Sequence, residues 1–354
     1  MKIALVAPIQ ESVPPKDYGG IELVLYDLAE NLVARGHEVT LFARSESRTS
    51  ARLISLGIDS RQVELVEDRY IAGYNLACKV AEMSSEFDII NNHAGWRFLI
   101  FAPKMKAPVV TSYHNLFSDR FYPLLNLYKE YPYTSISLDQ QKKAPKDVKF
   151  VQNVYNGINE RSFDFVSEPG DYLFWMARII IKKGADQAIK IAKATGKKLI
   201  IAGPTVSDRP EEWSYFKERV EPFVDDKQIF YIGPASFEQK VKLYGGAFAF
   251  LNPIDWDEPF GLIVPEANAT GTPVISYNKG AMSELIKDGK NGFLVEPGNI
   301  DGMIEAVNKL DNLSPQEMLS LRQSCRNHFE ENFTVKKMVD GYEEAYQKVI
   351  SKEY

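Results

Sequence analysis

At 354 residues the chain is long enough for two domains, each with its own core. Its 45% hydrophobic and 25% charged residues are ordinary for a globular protein. A formal net charge of −6 argues against a general nucleic-acid binder, which needs a basic surface to neutralise phosphates.

The chain opens with "MKIALVAPIQESVPP". Its apolar run is short and Gln10 and Glu11 follow at once, which is not the pattern of a signal peptide. No segment approaches the ~18 apolar residues of a membrane span, so the cytoplasm is the expected location. "KIALVA" reads as a parallel strand buried on both faces. After a loop holding Pro8, Pro14, Pro15, Gly19 and Gly20, "IELVLYDLAENLVAR" has apolar residues at helical spacing, with Gly36 as its C-cap candidate. "HEVTLFA" is the next strand, which completes a β-loop-α-β unit.

Further strand-like runs follow in "VELV", "FDIINN", "PVVTSY", "YTSISL" and "VKFVQN". The alternation then starts afresh with "GDYLFWMARI", "KKLIIAG", "QIFYIG", "GAFAFLN" and "TPVISY", separated by polar-faced helices such as "GADQAIKIAKAT". This predicts α/β architecture with two doubly wound parallel sheets. The boundary falls in the polar, turn-rich segment 156–170. The expected domains are 1–160 and 161–335, with a helical tail over 336–354. The cysteines, Cys78 and Cys325, lie far apart in helical segments without metal ligands at suitable spacing. They are expected to be two buried or partly buried free thiols of a reducing compartment.

Ligands of parallel sheets bind outside the carboxyl ends of the strands, so a cleft between two such edges is the natural site. The loops that should matter are 8–20, 91–97, 112–118, 177–184, 203–208, 233–237 and 252–262. In the last of these, "DEPFGL" leads into "IVPEANATG", a helix ended by Gly271. The unpaired amides at such a helix start suit an anion such as phosphate. Glu258 and Glu266 flank that seat, eight positions apart, and carboxylates there can accept hydrogen bonds from sugar and ribose hydroxyls. Spacing alone equally allows Glu266 as a solvated helix residue and Glu258 as a cap carboxylate.

"MARIIIKKG" places Arg178 and Lys183 on one loop, where two cations can neutralise a diphosphate; a solvated basic turn is the alternative. "DYGGIE" sets Gly19 and Gly20 at a helix start, where a backbone can approach phosphate closely. His93 and His114 each follow a strand of the first sheet, whereas His37 starts a strand behind a helix cap. The dinucleotide fingerprint is absent after the first strand, which disfavours NAD. "DWD" (255–257) abuts the helix start that serves the phosphates, so no metal site is expected there.

Together, "GGIELVLYDLAENLVARGHEVTLFA", "TSYHN", "NVYNGIN", "RIIIKKG", "EPFGLIVPEANATGTPVIS" and "GAMSELIKDGKNGFLVEPGN" resemble glycosyltransferase family 4, retaining enzymes of the GT-B fold. The matches run in the family's order over nearly the whole chain. The entry "APIQESVPPKDYGGIE" also resembles a subgroup labelled UDP-glucose-dependent pterin glucosyltransferases. Asn159 stands where the family usually has Asp, and "PEANATG" replaces the commoner "PEAMACG"; neither departure touches the expected chemistry.

The resemblance implies two Rossmann-like domains facing across a cleft and a tail helix returning to the first domain. It implies Glu258, with the amides of Phe260, Gly261 and Leu262, as the donor-sugar site, and Glu266 as the ribose ligand. Arg178 and Lys183 are implied as the diphosphate clamp, Gly19 and Gly20 as the first-domain phosphate loop, and His114 as a contact to a donor hydroxyl. UDP-glucose is the donor it favours, without metal or other cofactor, and the acceptor is unnamed. A nucleotide-sugar epimerase and a non-catalytic nucleotide-sugar-binding subunit are the rivals. The basic segments 97–106 and 140–149 read either as solvated surface or as peripheral membrane contacts.

Overall fold

The computed structural model describes residues 1–16, 19–117, 123 and 126–354. Positions 17–18 of the first predicted loop and position 118 of the third lie outside the described residues. The chain divides into two compact units. The first comprises Met1–Ile158 and Thr334–Tyr354, the second Asn159–Phe333.

The first unit is built on a seven-stranded, all-parallel sheet of order β3-β2-β1-β4-β5-β6-β7. Its strands are β1 (Lys2–Val6), β2 (Glu38–Phe42), β3 (Arg52–Ile54), β4 (Ile89–Asn92), β5 (Val109–Ser112), β6 (Tyr133–Ser135) and β7 (Phe150–Asn153). Helix α1 (Gly20–Ala34) returns the chain from β1 to β2, and α2 (Val66–Met83) precedes β4. A third helix, α3, spans Leu138–Lys143.

The second unit is also all-parallel, with six strands in the order β10-β9-β8-β11-β12-β13. They are β8 (Tyr172–Met176), β9 (Lys198–Ala202), β10 (Ile229–Tyr231), β11 (Ala249–Asn252), β12 (Val274–Tyr277) and β13 (Gly292–Val295). Its helices include α4 (Ala185–Thr195), α5 (Pro210–Tyr215), α6 (Phe237–Gly246), α7 (Ile263–Ala269), α8 (Met282–Leu285), α9 (Ile300–Asp311) and α10 (Pro315–Asn332). The last helix, α11 (Val335–Ser351), packs in the first unit against α1 and β7.

The central strands β1, β4, β5, β11 and β12 are buried almost throughout and apolar except toward their carboxyl ends, where residues such as Asn91, Ser112 and Asn252 are buried too. Each unit has its own core. Leu76, Val80, Ile90 and Tyr133 lie in the first, and Leu173, Trp175, Leu251 and Met303 in the second. The Arg322 side chain is fully buried in the second unit and bonds carbonyls rather than a carboxylate. It reaches Val166 O at 2.7 Å, Gly245 O at 2.8 Å and Ala247 O at 3.1 Å. Its guanidinium satisfies several otherwise unpaired acceptors at once.

Three expectations need correction. "VELV" is not a strand; a short 3-10 turn (Ser60–Val63) ends there and α2 begins at Val66. Strands β3 and β13, both at sheet edges, were not read as strands from the sequence. Cys78 is exposed on α2, while Cys325 is buried and its thiol is pushed up to about 12 by that burial. Among the described residues no helix is long and apolar enough to cross a membrane. In the basic segment 140–149, Lys143 pairs with Asp139 at 2.8 Å and Lys149 with Glu130 at 2.9 Å, as on a solvated surface.

Candidate active site

In each sheet the strand order reverses at one place, between β1 and β4 in the first and between β8 and β11 in the second. Loops leaving the carboxyl ends of strands at such a switch point diverge and open a crevice. The loops after β8 and β11 carry Arg178, Lys183 and Glu258. The loop after β1 carries Gly19, and His93 follows β4 directly.

The two loops of the second unit are joined by backbone contacts. Asp255 N donates to Lys182 O at 2.8 Å, and within the first loop the Trp175 indole of β8 donates to Lys183 O at 3.1 Å. Gly184 sits at φ +72°, where a side-chain carbon would stand 2.3 Å from Pro253 O. Glycine therefore lets one loop lie directly on the other.

This packing brings Lys183 to Glu258. Nζ donates to Oε2 at 2.5 Å, and both side chains are about five-sixths buried. Trp256 Nε1 donates to the same carboxylate oxygen at 3.0 Å, and its ring lies 5.3 Å from the Lys183 ammonium. Ala281 N fixes the Glu258 backbone through its carbonyl at 3.0 Å. Glu258 does not cap α7, which has no side-chain cap.

Phe260 is buried and stacks edge-on against Phe333, with centroids 6.1 Å apart. Gly261 and Leu262 immediately precede α7, and Val264 N folds back onto Gly261 O at 3.1 Å. Among the described residues the N–H groups of Gly261 and Leu262 donate to no other residue. The Arg178 side chain is exposed and makes no ion pair among the described residues.

Glu266 is not the solvated helix residue that spacing alone allowed. It is 4% exposed in α7 and its carboxylate is held by α6, through Lys240 Nζ at 2.6 Å and Tyr244 OH at 3.3 Å. Lys240 and Tyr244 stand one turn apart on α6, so both reach one carboxylate. Asp255, the first acid of "DWD", pairs with Lys279 at 2.7 Å.

In the first unit, Gly19 is the N-cap of α1 and Gly20 its first residue. Glu22, one turn in, is 5% exposed, and burial pushes its carboxyl up to about 7, against the opposing pull of its own backbone N–H. His114 follows β5 and is partly exposed; its Nε2 lies 2.8 Å from His93 Nδ1. Desolvation lowers the His114 imidazole to about 4 and holds His93 well below its usual range. His37, just before β2, contacts Glu343 of α11 at 2.7 Å.

The sequence reading thus named Lys183 and Glu258, which meet, and Glu266, which stands in a separate cluster. It missed Trp256, Lys240 and Tyr244. The i, i+4 pair on α6 was a usable signal, but only with the knowledge that α6 packs on α7.

Residues 158–328 match the family model described as Glycosyl transferases group 1, and residues 18–144 the model described as Glycosyltransferase Family 4. An uncharacterized glycosyltransferase of Methanocaldococcus jannaschii is 26% identical, over 88% of this chain and 89% of that protein. Among solved structures, sucrose-phosphate synthase from Thermosynechococcus elongatus superposes with a TM-score of 0.81 at 18% identity, covering 99% of both chains. HepE of Anabaena, in complex with UDP, gives 0.77 at 17% identity, over 98% of this chain and 100% of that one. The same protein in complex with UDP-glucose gives 0.74 at 17% identity, over 99% of this chain and 100% of that one.

Two parallel-sheet α/β units with these matches define an enzyme of the glycosyltransferase class on the GT-B fold. Within that class the group 1 model covers most of the second unit and the family 4 model most of the first.

Proposed function

We propose that this enzyme is a retaining, metal-independent hexosyltransferase that moves glucose from UDP-glucose to an acceptor hydroxyl. The observation that carries the reading is the Lys183–Glu258 pair, held by Trp256 at the carboxyl ends of β8 and β11. An ammonium has three donors. With one on Glu258, two are left for phosphate oxygens, so a single lysine can tie the sugar-binding carboxylate to the leaving diphosphate. Glu258 and the amides of Phe260, Gly261 and Leu262 take the sugar hydroxyls, and Glu266 takes the ribose. Arg178 and Lys183 clamp the diphosphate. Gly19, Gly20 and His114 are the groups of the first unit assigned to the donor. The resemblance of the entry segment to UDP-glucose-dependent pterin glucosyltransferases, and the UDP-glucose bound by HepE, support the choice of donor.

In the reaction the bond between the anomeric carbon and the phosphate oxygen breaks as the acceptor oxygen attacks from the same face. The acceptor's proton passes to the departing phosphate oxygen. Negative charge grows on that phosphate, and Arg178, Lys183 and the backbone amides stabilise it where it develops.

A thermal-shift titration with UDP, GDP, ADP and NAD, each with and without EDTA, tests the donor. A ligand at about 100 times its Kd stabilises by about 2.7 kcal/mol. Stabilisation by UDP alone, unaffected by EDTA, is expected; a response to GDP or ADP instead would overturn the choice of base. Glu258→Gln should lose turnover while binding UDP at least as tightly as the wild type, because it frees Lys183. A variant with wild-type turnover would remove Glu258 from the sugar site.

A further inference from the structure

Beneath His114 lies a buried chain of hydrogen bonds that fixes which of its ring nitrogens carries the proton. The chain starts at a group with no choice. Val110 O, a carbonyl, only accepts, and Asn91 Nδ2 donates to it at 3.4 Å and to Ser112 Oγ at 2.9 Å. The Asn91 side chain is thereby oriented, with Oδ1 turned the other way. That oxygen accepts from Tyr346 OH of α11 at 2.7 Å and lies 2.7 Å from His93 Nε2. An amide oxygen cannot donate, so His93 Nε2 carries hydrogen. A neutral His93 then has a bare Nδ1. Its neighbour at 2.8 Å, His114 Nε2, must be the donor of that bond. Desolvation pushes both imidazoles below their usual range, which favours the neutral rings.

We propose that His114 presents an unprotonated Nδ1 to its substrate, as a hydrogen-bond acceptor, and that His93, Asn91 and Tyr346 are positioning residues that set this tautomer. The proposal deepens the reading that His114 meets the donor sugar, and rests on it. A ring with bare Nδ1 accepts from a sugar hydroxyl and cannot donate to a phosphate oxygen, so it selects the hydroxyl-bearing part of the donor over the diphosphate. Three segments distant in sequence meet here: Asn91 and His93 at the end of β4, His114 beyond β5, and Tyr346 on α11. The Tyr342 ring closes one side, with its centroid 5.8 Å from that of His93.

The test is a long-range nitrogen–proton correlation spectrum of the full-length protein with labelled histidines, near pH 7. The four histidines are assigned by single His→Gln variants. His93 and His114 should both show a protonated Nε2 and an imine-type Nδ1. An Nδ1–H tautomer of His114, or an imidazolium, would overturn the proposal. Adding UDP-glucose should move the His114 Nδ1 resonance, and adding UDP alone should leave it in place. UDP-glucose binding that leaves that resonance unmoved would overturn the role toward the sugar. The absence of any thermal shift with UDP, by contrast, is a failure of the donor reading and leaves the tautomer result standing. In kinetics, His93→Leu should lower kcat about tenfold with UDP affinity unchanged, and His93→Gln, which keeps an acceptor, should recover most of it. Equal loss in both variants would mean that the imidazole only fills space.

Discussion

Lys183 and Glu258 are more informative as a pair than as separate residues. Each is mostly buried, and a buried ammonium or carboxylate without a partner costs several kcal/mol. Together with Trp256 they neutralise one another and still keep donors for a ligand. Glu266 is solved the same way by Lys240 and Tyr244. Glu22 is the exception: a carboxyl at 5% exposure whose burial outweighs the pull of Arg44 and lifts it from 4.5 to about 7. Its folded value lies above its unfolded value, so between those two pH values the folded protein binds the extra proton. Stability contributed by this site is present below pH 4.5 and lost as pH rises through about 7. The loss is as much as about 3 kcal/mol. Glu22→Gln is therefore expected to melt several degrees above the wild type near about pH 8, with the difference vanishing near pH 4.5. Melting curves of both proteins across that range decide it, and equal melting temperatures near about pH 8 would mean that the carboxylate is well solvated. At this scale the sequence named charged residues in loops but not their partners. Partners such as Lys240 for Glu266 are brought close by helix packing, which no local spacing encodes.

Loops after strands were legible because strand ends were. A strand covered on both faces reads as a run that is apolar up to its polar carboxyl end, so β1, β4, β5, β8, β9, β11 and β12 stand out in the sequence. The strands that did not, β3 and β13, are short edge strands with partly exposed residues, and there the apolar signal fails. "VELV" misled for the converse reason: its apolar residues straddle the end of the 3-10 turn (Ser60–Val63) and the start of α2. How one loop rests on another is less legible still, yet Gly184 settles it for the site. Gly184→Ala has to hold a left-handed backbone and also push against Pro253 O, 2.3 Å away. Gly196, with φ +68° and nothing within 4 Å, isolates the first of these costs. Gly196→Ala should cost about 1 kcal/mol and leave activity intact, while Gly184→Ala costs roughly 2–4 kcal/mol and loses most of its turnover. Denaturant melts and initial rates of the two variants make the comparison. Equal costs would mean that the loop after β8 does not need its close approach to the loop after β11.

For the molecule as a whole, the decisive feature is that the first unit is completed by the chain's last segment. Thr334–Tyr354 groups with Met1–Ile158, and α11 buries Val335, Met338, Val339, Tyr342, Ala345, Tyr346 and Val349 there. The segment "VKKMVDGYEEAYQKVI" has a mixed helical pattern, and its return to the first domain was implied by the family resemblance and not by that pattern. The helix is also pinned by charge, with Arg35 donating to Glu343 at 2.5 Å and pairing with Asp340 at 2.8 Å. Burying those apolar side chains is worth about 10 kcal/mol as an upper estimate, comparable to the whole stability of a domain at roughly 5–15 kcal/mol. A chain ending at Phe333 is therefore expected to lose the folded first unit altogether, including the buried network around His93 and Asn91 that Tyr346 completes. One buried cluster of the second unit runs from Leu173 to Met318, within the continuous segment Asn159–Phe333, and holds no residue of that helix. The truncated chain should then give dispersed amide resonances for the second unit beside the collapsed signals of an unfolded first unit. The isolated segment 159–333 should reproduce the dispersed set and melt cooperatively. A truncated chain whose first unit stayed folded would show that the seven-stranded sheet and its other helices suffice without α11. The tautomer of His114 would then have to be held without Tyr346.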